Sequence, residues 1–126
     1  MRFLGRLPAE ALSSLLRGAA VSVVPSRWYE NQPLAVLEAF ASGLPVVGTD
    51  LGGIPELIEP GVDGTRVPAN DPVALADALR PMVDDPALAF RMGASAREKA
   101  VRDFGPIRHL ERVTAAYDEA IARAAA

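Results

Sequence analysis

Val21-Ser22-Val23-Val24-Pro25-Ser26-Arg27-Trp28-Tyr29-Glu30-Asn31-Gln32-Pro33-Leu34-Ala35-Val36-Leu37-Glu38-Ala39 joins three kinds of sequence in nineteen positions. The apolar run over residues 20–24 reads as a buried parallel strand, and Pro25 ends it. A polar loop follows. Pro33 suits the first position of a helix, where a missing N–H costs nothing. The helix is expected over residues 34–42, with Gly43 where a left-handed cap belongs. The free N–H groups of Leu34 and Ala35, with the positive end of the helix dipole, can face a phosphate. Glu38 lies on the helix and Glu30 on the loop before it. Carboxylates do not bind phosphate, but they accept hydrogen bonds from sugar hydroxyls. A diphosphate between two sugars fits that arrangement, and a nucleotide-sugar is such a ligand.

Outward from this stretch the pattern repeats. Arg2-Phe3-Leu4 reads as the stub of a strand stopped by Gly5. Residues 8–17 form an amphipathic helix with Leu12, Leu15 and Leu16 on one side and Gly18 as its stop. Residues 45–48 are a second buried strand. Gly52-Gly53 turns into a short helix with Pro55 near its start. Pro60-Gly61-Val62-Asp63-Gly64 is a turn, and residues 65–67 a short strand. Asn70 or Asp71 caps the next helix, with Pro72 at its first position and Val73, Leu75, Ala76, Leu79 and Met82 as its apolar stripe. Asp85-Pro86 opens another helix to about Val101, and residues 106–125 form the last. No internal repeat occurs, and the only low-complexity stretch is the run Ala124-Ala125-Ala126.

Strand, helix, strand, helix, strand with short loops implies an α/β protein with a small parallel sheet and flanking helices. In such sheets ligands bind beyond the carboxyl ends of the strands, where residues 26–34 and 49–53 both fall. The expected division is a Rossmann-like core over residues 1–68 and a helical C-terminal tail over residues 69–126.

Bulk properties narrow the class. At 126 residues the chain is one domain or part of one. Half the residues are hydrophobic and 23% are charged, enough for a buried core. A net charge of −3 argues against a nucleic-acid platform. The chain has no cysteine, which excludes disulfides and thiolate zinc sites and fits a cytoplasmic location. The apolar run after Met1 is too short for a signal peptide, and no stretch reaches the ~18–20 apolar residues of a membrane span.

Residues 25–64 resemble the C-terminal domain of the family 4 retaining glycosyltransferases, enzymes of the two-Rossmann-domain architecture called GT-B. The matching residues are Pro25-Ser26, Glu30, Leu37-Glu38-Ala39-Phe40-Ala41-Ser42-Gly43-Leu44-Pro45-Val46-Val47, Thr49-Asp50, Gly52-Gly53-Ile54-Pro55-Glu56, Gly61 and Gly64. Phe3-Leu4-Gly5-Arg6-Leu7-Pro8 is similar to the family's preceding strand and loop. The resemblance implies that Glu38 accepts hydrogen bonds from the nucleotide ribose. It implies that Glu30, the candidate catalytic residue, contacts hydroxyls of the donor sugar. Backbone N–H groups around Asn31, Gln32 and Leu34 would bind the diphosphate, with Ser26 in the same donor-binding set. The base would rest near Gly5, Arg6 and Leu7. No metal and no other cofactor is implied, that role falling to the helix dipole and basic residues. The donor is a substrate.

The chain departs from the family in two ways. Asn31-Gln32-Pro33 stands where the family often has glycine and a bulky residue, and Pro33 removes one backbone donor. The N-terminal acceptor domain and the basic pair that neutralises the diphosphate are not in this sequence; Arg2, Arg6, Arg17 and Arg27 do not sit in that motif. The expectation is the donor-binding portion of a hexosyltransferase, inactive alone, with a nucleotide-sugar and the acceptor domain as partners and no nucleic acid. Attachment of the full-length enzyme to the inner face of the membrane is left open. In the doubly wound order 3-2-1-4-5-6, residues 2–4 resemble strand three and residues 20–24 strand four. Strands one and two would lie between, so residues 2–4 are expected to be unpaired.

Plainer readings stand beside these. Glu38 can be a solvated helix carboxylate, Glu30 a loop acid, Ser26 a strand end bonding its own backbone, and Gly52-Gly53 a tight turn. Trp28 and Tyr29 fit a ligand cleft or a cover over the core edge. His109 has no partner set for a metal or a triad, and Glu56 suits the start of its own helix. The rival functions are a non-catalytic nucleotide-binding module and another GT-B enzyme such as an epimerase. A phosphorylase is disfavoured because Lys99, the only lysine, lies in a tail helix. The last helix can also dock on a partner domain, but its mixed charges make a weak membrane surface.

Overall fold

A computed structural model describes residues 1–125; Ala126, the end of the alanine run and of the expected tail, lies outside them. Three strands, β1 (Ser22–Val24), β2 (Val46–Thr49) and β3 (Gly64–Val67), form one parallel sheet in that order. Val23 is in register with Val47, and Val47 with Thr65. Six helices surround it: α1 (Ala9–Arg17), α2 (Leu34–Ala41), α3 (Ile54–Leu57), α4 (Pro72–Asp84), α5 (Pro86–Phe104) and α6 (Pro106–Ala124).

β2 is the centre because every one of its residues is buried. Neighbouring side chains on a strand point to opposite faces, so Val46 and Val47 seed two separate cores. Val46 packs with Val36, Phe40, Ile54 and Ala96, which joins α2, α3 and the second half of α5. Val47 packs with Val67, Met82, Ala89 and Met92, which joins β3, α4 and the first half of α5. The 19 residues of α5 span about 28 Å, enough to serve both cores. Arg97 of α5 also donates to the Ala41 carbonyl at the end of α2. The helices after β3 therefore complete the core, apart from α6, which buries no residue. At the bend between α5 and α6, Arg112 donates to the Asp103 carbonyl at 3.1 Å. There the bonded Arg102 guanidinium holds the Asp103 carboxyl below its ordinary range.

Several expectations need correction. The strand stub read at residues 2–4 does not form, whereas their expected lack of a pairing partner stands: no strand lies beside them, and Phe3 is largely exposed. Pro33 is the cap of α2, not its first residue: its ψ of 108° is extended, and Leu34 opens the helix. On α4, Leu75, Leu79 and Met82 turn inward, but Val73 and Ala76 face solvent; Ala74 and Ala78 fill the stripe instead. Of the two residues offered as the cap of α4, Asp71 takes the role, as read, by accepting from the Val73 and Ala74 amides. Glu56 lies in the first turn of α3, where its charge suits the positive end of the helix as read, though it makes no capping hydrogen bond. Other local features stand as read: Gly43 has a φ of +78° and Gly52 a φ of +62°.

One edge of β1 is unpaired, and α1 buries no residue. Unpaired strand edges and bare apolar stripes recruit other chains. Light scattering on the purified chain should therefore show a mass that rises with concentration. A single monomeric mass at all concentrations, with a cooperative thermal transition, would contradict this.

Candidate functional site

The loop between β1 and α2 is held from three sides. Thr49, at the end of β2, donates its hydroxyl to the Ser26 carbonyl at 2.9 Å. The Ser26 hydroxyl donates to Oε1 of Glu30 at 3.0 Å. The Gly53 amide, at the start of α3, donates to the Glu30 carbonyl at 2.7 Å. Together these bonds set both the backbone and the carboxylate of Glu30. The two loops at the carboxyl ends of β1 and β2 thus touch, as a parallel sheet requires of loops on the same edge.

Glycine is required at that contact. A Cβ on Gly52 would lie 2.5 Å from the Glu30 carbonyl oxygen, and one on Gly53 would fall onto the Asn31 carbonyl oxygen. Gly52 also takes a left-handed φ, whereas Gly53, with φ −83°, is glycine only because of the close approach.

Glu30 is half-buried and lines a cavity of about 340 Å³ with Val24, Ser26, Arg27, Trp28 and Ala35. Trp28 and Tyr29 are both largely exposed, so neither covers the core. Asn31, Gln32 and Leu34 are exposed at the amino end of α2, which carries no side-chain cap. The first amide of α2 to find a loop carbonyl is Val36, on Pro33.

Glu38 is not in this cavity. It lies exposed in a separate groove of about 300 Å³ between α1 and α2, facing Leu12, Ser13, Leu16 and Ser42. Gly5, Arg6 and Leu7 line neither cavity and lead into α1. The structure therefore brings Ser26 and Glu30 together, and separates Glu38 from them by the first turn of α2.

Sequence reasoning missed three groups. Thr49 anchors the site loop, Arg66 pairs with Asp50 at 3.2 Å beside it, and Lys99 pairs with Asp63 at 2.8 Å in the core behind. Thr49 and Asp50 stood in the resembling string and at the expected ligand edge, and Lys99 was visible as the sole lysine, but no local pattern marked Arg66 or the partner of any of them. Among the described residues no helix is long and apolar enough to cross a membrane.

An open parallel sheet with its polar loops gathered at the carboxyl ends defines an α/β ligand-binding domain. The sequence model of the glycosyl transferases group 1 family matches residues 1–85. The chain belongs to that family, and its fold is that of a GT-B C-terminal domain. It is 40% identical over 103 residues to glycogen synthase of Mycobacterium tuberculosis, covering 82% of this chain and 25% of that protein. It is 40% identical over 100 residues to D-inositol 3-phosphate glycosyltransferase of Streptomyces avermitilis, covering 79% and 21%. The structure of sucrose-phosphate synthase from Thermosynechococcus elongatus superposes with a TM-score of 0.86 at 33% identity, covering 97% of this chain and 30% of that one. The chain thus spans about a quarter of the length of the curated relatives it matches.

Proposed function

We propose that this chain is the donor-binding part of a retaining glycosyltransferase that transfers a hexose from a nucleoside-diphosphate sugar. The observation that carries the reading is the placement of Glu30 and Glu38 on either side of the uncapped first turn of α2. Two carboxylate acceptors with a positive helix end between them suit an extended ligand. The diphosphate lies over the amides of Leu34 and Ala35, the donor sugar reaches Glu30, and the ribose reaches Glu38. Asn31 and Gln32 flank the diphosphate, and Gly5, Arg6 and Leu7 lie toward the base. Ser26 holds the Glu30 carboxylate in one orientation, so the sugar meets a fixed acceptor rather than a mobile one. No metal enters this reading; the helix dipole and backbone donors carry the phosphate charge. In this reading the chain alone binds donor without transferring it.

Titration calorimetry with uridine, guanosine and adenosine diphosphates, and then with a matching sugar nucleotide, tests this. Glu38→Ala should weaken diphosphate and sugar nucleotide alike by about 1.5–3 kcal/mol per lost charged hydrogen bond. Glu30→Ala should weaken only the sugar nucleotide. No heat with any of the three diphosphates on a folded sample removes the proposal, and equal effects of the two substitutions on the bare diphosphate remove the division of roles.

A further inference from the structure

Among the described residues, Nε of Arg66 is the one buried side-chain polar atom without a partner. Such atoms are costly and rare in folded proteins, so what the rest of the guanidinium binds must hold it there. Nη1 of Arg66 donates to Oδ1 of Asp50 at 3.2 Å and to the Pro55 carbonyl at 3.4 Å. Asp50 and Pro55 are the two ends of the loop that carries Gly52 and Gly53. One guanidinium therefore closes that loop from both ends. Strand geometry brings it there. Side chains alternate across β3, and Arg66 is in register with Gly48 of β2. Gly48 marks the α3 face of the sheet: a Cβ on it would lie 2.7 Å from side-chain atoms of Ile54 and Ile58.

The loop needs an outside hold. α3 has four residues and no side-chain cap, far short of the length at which a helix is stable by itself. The Ile54 amide reaches the Leu51 carbonyl only at 3.4 Å, and the Glu56 amide the Gly53 carbonyl at 3.3 Å, both longer than an ordinary hydrogen bond. Ile54 and Leu57 anchor the apolar side of α3 in the core, and Arg66 holds the polar side. The short bond at the tip of the loop runs outward, from the Gly53 amide to the Glu30 carbonyl at 2.7 Å. The placement of Gly53 against Glu30 thus follows from where the two ends of the loop are fixed.

We propose that Arg66 is a positioning residue of the donor site: by gripping Asp50 and Pro55 it fixes Gly53 against the Glu30 carbonyl, and so sets where the Glu30 carboxylate meets the donor sugar. The last step rests on the donor reading; the clamp itself does not. Hydrogen exchange of the ligand-free chain, read amide by amide, tests the clamp. Arg66→Met keeps the length of the side chain and removes the guanidinium. Protection of the Gly53 amide should fall roughly tenfold, the scale of one charged hydrogen bond. The Val46 amide, bonded to the Asp63 carbonyl at the amino end of the sheet, should keep its protection to within about twofold, because a solvent-exposed ion pair adds little to global stability. Asp50→Ala should lower Gly53 protection less, and adding it to Arg66→Met should lower it no further. Calorimetry then tests the consequence. Arg66→Met should weaken uridine diphosphate glucose or guanosine diphosphate mannose, whichever the parent chain binds, and leave the bare diphosphate unchanged. No fall at Gly53, equal falls at Gly53 and Val46, or additive effects of the two substitutions overturn the clamp. Unchanged sugar-nucleotide affinity in a variant that has lost Gly53 protection overturns its bearing on Glu30. A parent chain that binds neither diphosphate nor sugar nucleotide sinks the donor reading, and the exchange result then decides the clamp by itself.

Discussion

Asp63→Ala is expected to destabilise the fold by about 3–5 kcal/mol, the cost of breaking a buried ion pair from one side. Asp63 is 1% exposed and Lys99 lies 2.8 Å away. Oδ1 of Asp63 accepts from the Glu59 amide at 2.8 Å, and Nζ of Lys99 donates to the Leu57 carbonyl at 2.6 Å. The pair therefore ties α5 to the end of α3 and the start of β3. Alanine would strand a cation against Phe40, whose ring centre lies 5.8 Å from Nζ, and leave the Glu59 amide unpaired. The double replacement Asp63→Leu with Lys99→Met should recover most of the loss, since apolar residues of similar volume often match a buried pair. Urea unfolding measures both. A loss below about 1 kcal/mol for Asp63→Ala, the worth of a surface pair, would show that the pair is not a core element.

Gly53→Ala is expected to cost at least about 3 kcal/mol, the upper end of ordinary overpacking. The obstacle is the Asn31 backbone carbonyl, not a side chain that can rotate away. The site loop must move, and the bond from the Gly53 amide to the Glu30 carbonyl must lengthen or break. Loss of sugar-nucleotide affinity should therefore accompany the loss of stability. Gly61→Ala is the control: that glycine has open space around it, and its φ of +82° adds only a local strain. Equal unfolding midpoints for the two variants in urea would show that the close approach is not needed.

Much of the fold was legible along the chain. Continuous apolar runs marked β1 and β2, glycine and proline marked the ends of α1, α2 and α4, and short loops required a parallel sheet. Those signals are local, set by backbone conformation and side-chain period. The stripe of α4 was only partly legible. Val73 and Ala74 are adjacent apolar residues, and composition cannot say which of two neighbours turns inward; the core cluster built around Val47 selects Ala74. The strand expected over residues 2–4 failed for a related reason. A strand is a relation between two segments, and the chain places none beside it.

For the candidate site, the residue types and their spacing were determined by the sequence alone: Ser26, Glu30, the helix start at Leu34, and Glu38. Only the tertiary structure decided that the Ser26 hydroxyl orients Glu30, that Thr49 at the end of β2 and Gly53 at the start of α3 fix the loop, and that Glu38 opens into a different groove. The physical reason is range. Strand and helix patterns repeat over two to four residues, whereas Thr49 and Gly53 lie more than twenty residues from the atoms they bond. Contacts of that separation leave no period in the chain, and they exist only after β1, β2 and α3 have been brought to one edge of the sheet.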